Sequence, residues 1–143
     1  MELEGKIWKS GEIWLVEVPA IDVCTQGHSR KDALKMIVDA IEVLMAGYFP
    51  DEDIKKFEIT AHDYGKKEIG ITTSNNSIMM SFSLIRQREI SKSSIREVVE
   101  RLGSKSPNIY AQYERGTVNI TLNQYERLLG AVNPKNPPRL RVI

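Results

Sequence analysis

Residues 12–46 read EIWLVEVPAIDVCTQGHSRKDALKMIVDAIEVLMA, and the change of period inside them decides the fold. In the first part side chains alternate. Trp14, Val16 and Val18 share one face, while Ile13 and Leu15 share the other. Both faces are largely apolar, as in a central strand with cover on at least one side. Pro19 ends the strand because it has no N–H for a ladder. Residues 20–26 read as a short extended connection. From Ser29 onward the apolar spacing becomes three and four. Leu34, Ile37, Val38, Ile41, Leu44 and Met45 form one face of an α-helix. Ser29 with Asp32 three residues later is a capping-box variant, Gly27 permits the bend before it, and Gly47 is the expected stop.

Upstream, KIWK at 6–9 and Ser10-Gly11 complete a hairpin with residues 12–18. Downstream, residues 57–61, 67–73 and 77–85 are strand-like, separated by Tyr64-Gly65 and Asn75-Asn76. In the last of these Ile78, Met80, Phe82 and Leu84 alternate with their neighbours, which predicts a half-buried strand. The expected order is therefore β-β-α-β-β-β. Beyond residue 90 three short helices are predicted over 94–102, 106–115 and 121–132. Gly103 and Gly116 stop the first two, and Ser106-Pro107 opens the second. The fold class read from this pattern is α+β: a small sheet with one packed helix over 1–85, an all-α unit over 86–133, and a Pro-rich, extended tail over 134–143.

The chain has 143 residues, enough for one full-sized domain or two small ones with their own cores. Its net charge of +1 conceals a division. Residues 1–80 carry 9 Lys+Arg against 14 Asp+Glu, a net −5, and residues 81–143 carry 11 against 5, a net +6. A basic half fits nucleic acid, and an acidic half fits a basic partner protein. No long apolar run opens or interrupts the chain, so neither a signal peptide nor a membrane span is expected. One cysteine cannot form an internal disulfide, in keeping with a cytoplasmic location.

Catalytic readings are weak. Cys24 and His28 are the types of a thiol–base pair, but their places at a strand end and before a helix cap do not enforce contact. Cys24 is expected to pack as a small hydrophobe. Asp51, Glu52 and Asp53 form one loop triplet, whereas cation sites draw carboxylates from separate elements. Glu17, Asp22 and Asp63 are the carboxylates a nuclease would need, with nothing to fix their geometry. No enzymatic activity, metal or cofactor is expected.

The helices around Gly103 have the layout of a helix-turn-helix, whose second helix presents its N-terminal residues to base edges. Asn108, Tyr110 and Gln112 are the candidate base-contacting residues of that helix. Ser93, Ser94, Lys105 and Arg115 are the candidates nearer phosphate, and Ser106, the expected cap of that helix, completes the DNA-binding set.

SIREVVERLG, SPNIYAQYERG and TLNQYERLLGAV, over about 94–132, resemble the helix-turn-helix of Xre/Cro-type repressors, with Tyr113-Glu114-Arg115-Gly116 as the signature. The chain departs from that pattern in a longer turn, GSKSPN. It departs again at Leu84 to Ile90, where the family has its first helix and the alternation here predicts a strand. WLVEVPAIDVCTQGHSRKDALKMIVDAIE resembles the N-terminal domain of HicB-type antitoxins through Val18-Pro19-Ala20-Ile21, Cys24, Thr25-Gln26-Gly27 and Asp32-Ala33-Leu34. Asp22-Val23 stands where that family has Pro-Gly. The resemblance implies a degraded ribonuclease-H-like sheet without catalytic carboxylates. It also implies a HicA-like toxin as protein partner, operator DNA as the second partner, and a homodimer or larger homo-oligomer. The rival reading is a stand-alone helix-turn-helix regulator whose N-terminal domain dimerises or senses a ligand.

Overall fold

The hairpin and helix of residues 12–46 are present in a computed structural model that describes residues 1–141. The described residues form a five-stranded antiparallel sheet and six helices. They divide into two compact units, Met1–Asn76 and Ser77–Ile143.

In the first unit β1 (Glu2–Ser10) and β2 (Ile13–Val18) pair with Ser10 opposite Ile13. The turn therefore sits at Gly11-Glu12, one residue later than predicted, with Gly11 supplying the left-handed backbone at φ 63°. A short 3₁₀ turn at Pro19–Ile21 and a left-handed Asp22 reverse the chain into β3 (Val23–Gly27). Residues 23–27 are thus a strand, not a mere connection. β3 pairs with β2 along its length and forms one edge of the sheet. Helix α1 (Arg30–Tyr48) follows, then the four-residue α2 (Asp51–Ile54), β4 (Ile59–Asp63) and β5 (Glu68–Thr73). The order across the sheet is β3-β2-β1-β5-β4.

Helix α1 lies across the sheet and buries Ala33, Ile37, Ile41 and Met45. The sheet supplies Leu3, Ile7, Val16, Val18, Val23, Ile69 and Ile71 to the same core. Register explains the match: Leu3 faces Ile71, Ile7 faces Val16 and Val18 faces Val23, so apolar pairs collect on one face. Ser29 is the N-cap, its hydroxyl accepting from the Asp32 N–H at 3.0 Å, while the Asp32 carboxylate accepts from the His28 N–H at 2.8 Å. Gly47 does not stop the helix, which runs on to Tyr48 without a left-handed residue at its end. Arg30 binds the far end of the sheet. Its guanidinium donates to both Asp63 carboxylate oxygens, at 2.8 and 2.6 Å, and to the Lys66 carbonyl at 2.6 Å.

The second unit begins with a helix where the alternation predicts a strand. Residues 77–85 belong to α3 (Asn76–Ile90). Ile78, Met79, Ser81, Phe82, Ser83, Leu84, Ile85 and Gln87 are all buried, so the helix is covered almost all round. Such a helix shows no 3.6-residue stripe. Its serines mimic the polar face of a strand, although Ser83 points inward and hydrogen-bonds the Tyr125 hydroxyl at 2.6 Å. Then come α4 (Ile95–Arg101), α5 (Pro107–Glu114) and α6 (Leu122–Val132). Gly103 and Gly116 take left-handed φ of 71° and 78° immediately beyond the caps of α4 and α5, as their positions predict. Leu84, Val98, Val99, Tyr110, Ile120, Tyr125, Leu128, Leu129 and Val132 form the core of this unit. Leu140 packs on it, so the tail is anchored at that point; Val142 and Ile143 lie outside the described residues.

Candidate nucleic-acid interface

Helix α5 is placed by what it turns inward. Tyr110 is 2% exposed and part of the core. Burial first, and the Glu114 carboxylate second, push its hydroxyl well above the ordinary tyrosine range. Glu114 is the only acidic residue of α5, and it too is drawn in. Arg88 of α3 donates to both of its carboxylate oxygens, at 2.7 and 2.8 Å, and to the Ser93 carbonyl at 3.3 Å. The Tyr113 hydroxyl accepts from the Gln124 amide at 3.5 Å. The Tyr113-Glu114-Arg115-Gly116 stretch therefore seats and ends the helix: Tyr113 and Glu114 contact neighbours, Arg115 is the cap and Gly116 turns the chain.

The Arg88–Glu114 fork has side-chain exposures of 19% and 11%. Its loss leaves a half-buried guanidinium without its partner. Glu114→Gln is expected to destabilise the helical unit by about 2–3 kcal/mol, read from helix loss in a urea titration.

The opposite face of α5 is open. Lys105, Asn108, Gln112 and Arg115 are exposed; Asn108 and Gln112, four residues apart, share one face of the helix, whereas Lys105 precedes the extended Ser106 cap and Arg115 is the C-cap. The exposed face of α5 thus holds two amides and no carboxylate, with one cation flanking each end of the helix. Ser106 is half-buried at the N-cap, and its hydroxyl does not cap the helix.

Three residues of the expected interface are used otherwise. Tyr110 faces the core and cannot reach a base edge. Ser93 is buried and accepts from Arg101 at 2.8 Å in a network with Ser91. Ser94 is exposed, but its hydroxyl accepts from the Glu97 N–H and its own N–H donates to the Glu97 carboxylate, both at 3.1 Å. Those bonds from Ser94, and Arg101 nearby, hold the Glu97 carboxyl below the usual range. A carboxylate thus occupies the place where a phosphate was expected at the start of α4.

Ile109 was missed by sequence reasoning. It follows Asn108 and is 55% exposed. It also borders a small, mostly apolar cavity of about 140 Å³ lined by Leu102, Tyr110, Tyr113 and Leu128 among others. Its type suggested core, and only its position on α5 reveals the exposure.

The catalytic candidates of the first unit are not drawn into one centre. Cys24 is exposed on the edge strand rather than packed in the core. Burial first, then the charges of Glu17 and Asp22, push its thiol up, away from the thiolate form a nucleophile needs. Asp63 is held at about 2 by its hydrogen bond to Arg30 and is committed to that pair. Asp51 and Asp53 lie exposed on α2, while the side chain of Glu52 lies outside the described residues. Among the described residues no three His, Cys, Asp or Glu side chains gather closely enough to hold a metal ion, and no helix is long and apolar enough to cross a membrane.

No protein-family model matches the chain, and the search of curated proteins finds no match.

Proposed function

We propose that the protein is a sequence-specific DNA-binding repressor that also acts as the antitoxin of a HicA/HicB-type pair, without enzymatic activity. The observation that carries the DNA-binding half is the exposed pair Asn108 and Gln112 on a helix whose other side is buried, with the exposed Lys105 and Arg115 flanking it in sequence. An amide offers a donor and an acceptor together, the pattern adenine presents in the major groove. Lys105 precedes the helix and Arg115 caps its end, and both are cations suited to phosphate. α3 supports the reading as well, because it is a helix where the Xre/Cro-type resemblance expects one. Proteins of that type act as dimers on paired half-sites, so a homodimer or larger assembly is part of the proposal.

The antitoxin half rests on the HicB-type resemblance and on charge. The first unit carries a net −5, and Glu2, Glu4, Glu17 and Glu68 lie on the sheet face turned away from α1. That face suits a basic HicA-like ribonuclease. The alternative, a stand-alone regulator, shares the DNA-binding half and lacks the toxin.

The test is a gel shift with DNA upstream of the protein's own reading frame, joined to co-purification with the product of the adjacent frame. A specific shift and a co-purifying small basic protein are expected. The absence of any specific complex with that DNA would remove the repressor assignment, and a lone chain after co-expression would leave the stand-alone regulator. Gln112→Ala is expected to cost about 1–3 kcal/mol of binding and relax one base position, whereas Lys105→Ala weakens all sequences alike and lowers the salt dependence.

A further inference from the structure

We infer that the half-site taken by α5 is rich in A·T pairs, with Ile109 seated against the C5-methyl group of a thymine. The inference rests on the DNA-binding reading and concerns what sequence is read. Beyond Pro107 at its start, the exposed side chains of α5 are Asn108, Ile109 and Gln112. Asn and Gln pair bidentately with adenine N6 and N7. Guanine presents two acceptors, O6 and N7, which Arg or Lys satisfies and a single amide does not. α5 contains neither Arg nor Lys.

The cations lie beyond its two ends. An eight-residue helix is about 12 Å long, close to the width of the major groove. A helix of that size enters the groove with its first turn, which carries Asn108 and Ile109, at the base edges, and the cations beyond its ends are left to phosphate.

Ile109 supplies the independent observation. It forms part of the wall of an open apolar cavity and is still 55% exposed. It is one residue from Asn108 and three from Gln112, so it borders the face that carries both amides. The apolar feature at the floor of the major groove is the thymine methyl, and the partner base of thymine is adenine, the base the amides match.

The experiment uses the full-length protein and a pool of duplexes randomised at the centre. Rounds of selection give a preferred duplex. Fluorescence anisotropy then compares it with versions in which each thymine is replaced by deoxyuridine, which deletes only the methyl group. The expected consensus has consecutive A·T pairs, and one deoxyuridine weakens binding about fourfold, the worth of one buried methyl-sized group. Ile109→Ala loses affinity on the thymine duplex and no longer responds to that deoxyuridine, while Ile109→Val keeps the response. Unchanged circular dichroism verifies that both variants fold.

A G·C-rich consensus overturns the inference and leaves DNA binding standing. So does an Ile109→Ala variant as sensitive to deoxyuridine as the parent. Failure to enrich any sequence overturns the inference together with the DNA-binding reading.

Discussion

Gly27→Ala is expected to destabilise the N-terminal unit by about 3 kcal/mol, although it adds a single methyl group. A Cβ on Gly27 would lie 2.4 Å from the Ala33 nitrogen, 2.7 Å from its Cα and 2.8 Å from the Asp32 carbonyl carbon. All three are backbone atoms in the first turn of α1, so no side chain can rotate away. The strand and the helix must separate, and their separation strains the Ser29–Asp32 cap beside them. Both tryptophans, Trp8 and Trp14, belong to this unit, so tryptophan fluorescence during urea unfolding reports on it alone. Gly47→Ala is the control. Its Cβ meets nothing within 4 Å, and the helix passes through it, so it is expected to stabilise the unit by about 0.5–1 kcal/mol. Equal effects at the two glycines would show that the close approach of β3 to α1 is not what Gly27 serves.

Tyr110→Ala is expected to cost the helical unit about 3–5 kcal/mol, because it empties a ring from the core. The ring packs within the cluster that contains Val98, Val99, Leu128 and Leu129. Tyr110→Phe separates this role from a base contact. It keeps the ring and removes only the hydroxyl, so stability should change by less than about 1.5 kcal/mol. Affinity for the preferred duplex should not change. Gln112→Ala, two residues further along, should show the reverse: full stability and weakened DNA binding. A loss of affinity in Tyr110→Phe comparable to that of Gln112→Ala would return Tyr110 to the interface.

Which parts were legible depends on how local their causes are. α1 could be read because Ser29, Asp32 and an apolar residue every third or fourth position sit within one segment. The stops at Gly103 and Gly116 and the Pro107 start were readable for the same reason. β3 was read as a connection because five residues, Val-Cys-Thr-Gln-Gly, hold one large apolar side chain and carry little signal. They form a strand because β2 offers an unpaired edge. α3 was read as a strand because burial on nearly every side removes the helical stripe and leaves an accidental alternation.

At the proposed interface the residue types were legible and their directions only in part. Lys105, Asn108, Gln112 and Arg115 are all exposed on α5 or its flanks. Tyr110 was placed among them because a tyrosine on an eight-residue helix fits either face. Ile109 was left out because an isoleucine usually faces the core. The choice between the two belongs to α4 and α6, which close around Tyr110 and leave Ile109 at the edge of a cavity.

By itself, then, the amino-acid order determined the charge division, the Ser29 cap, the stops at Gly103 and Gly116, the hairpin and α1, since each depends on neighbours within a few residues. The tertiary structure alone decided that residues 77–85 are helical, that Cys24 is exposed and that Tyr110 turns inward while Ile109 turns out. Those outcomes depend on which surfaces exclude water. That exclusion is set by residues distant in the chain, such as Arg88 against Glu114 and Ser83 against Tyr125.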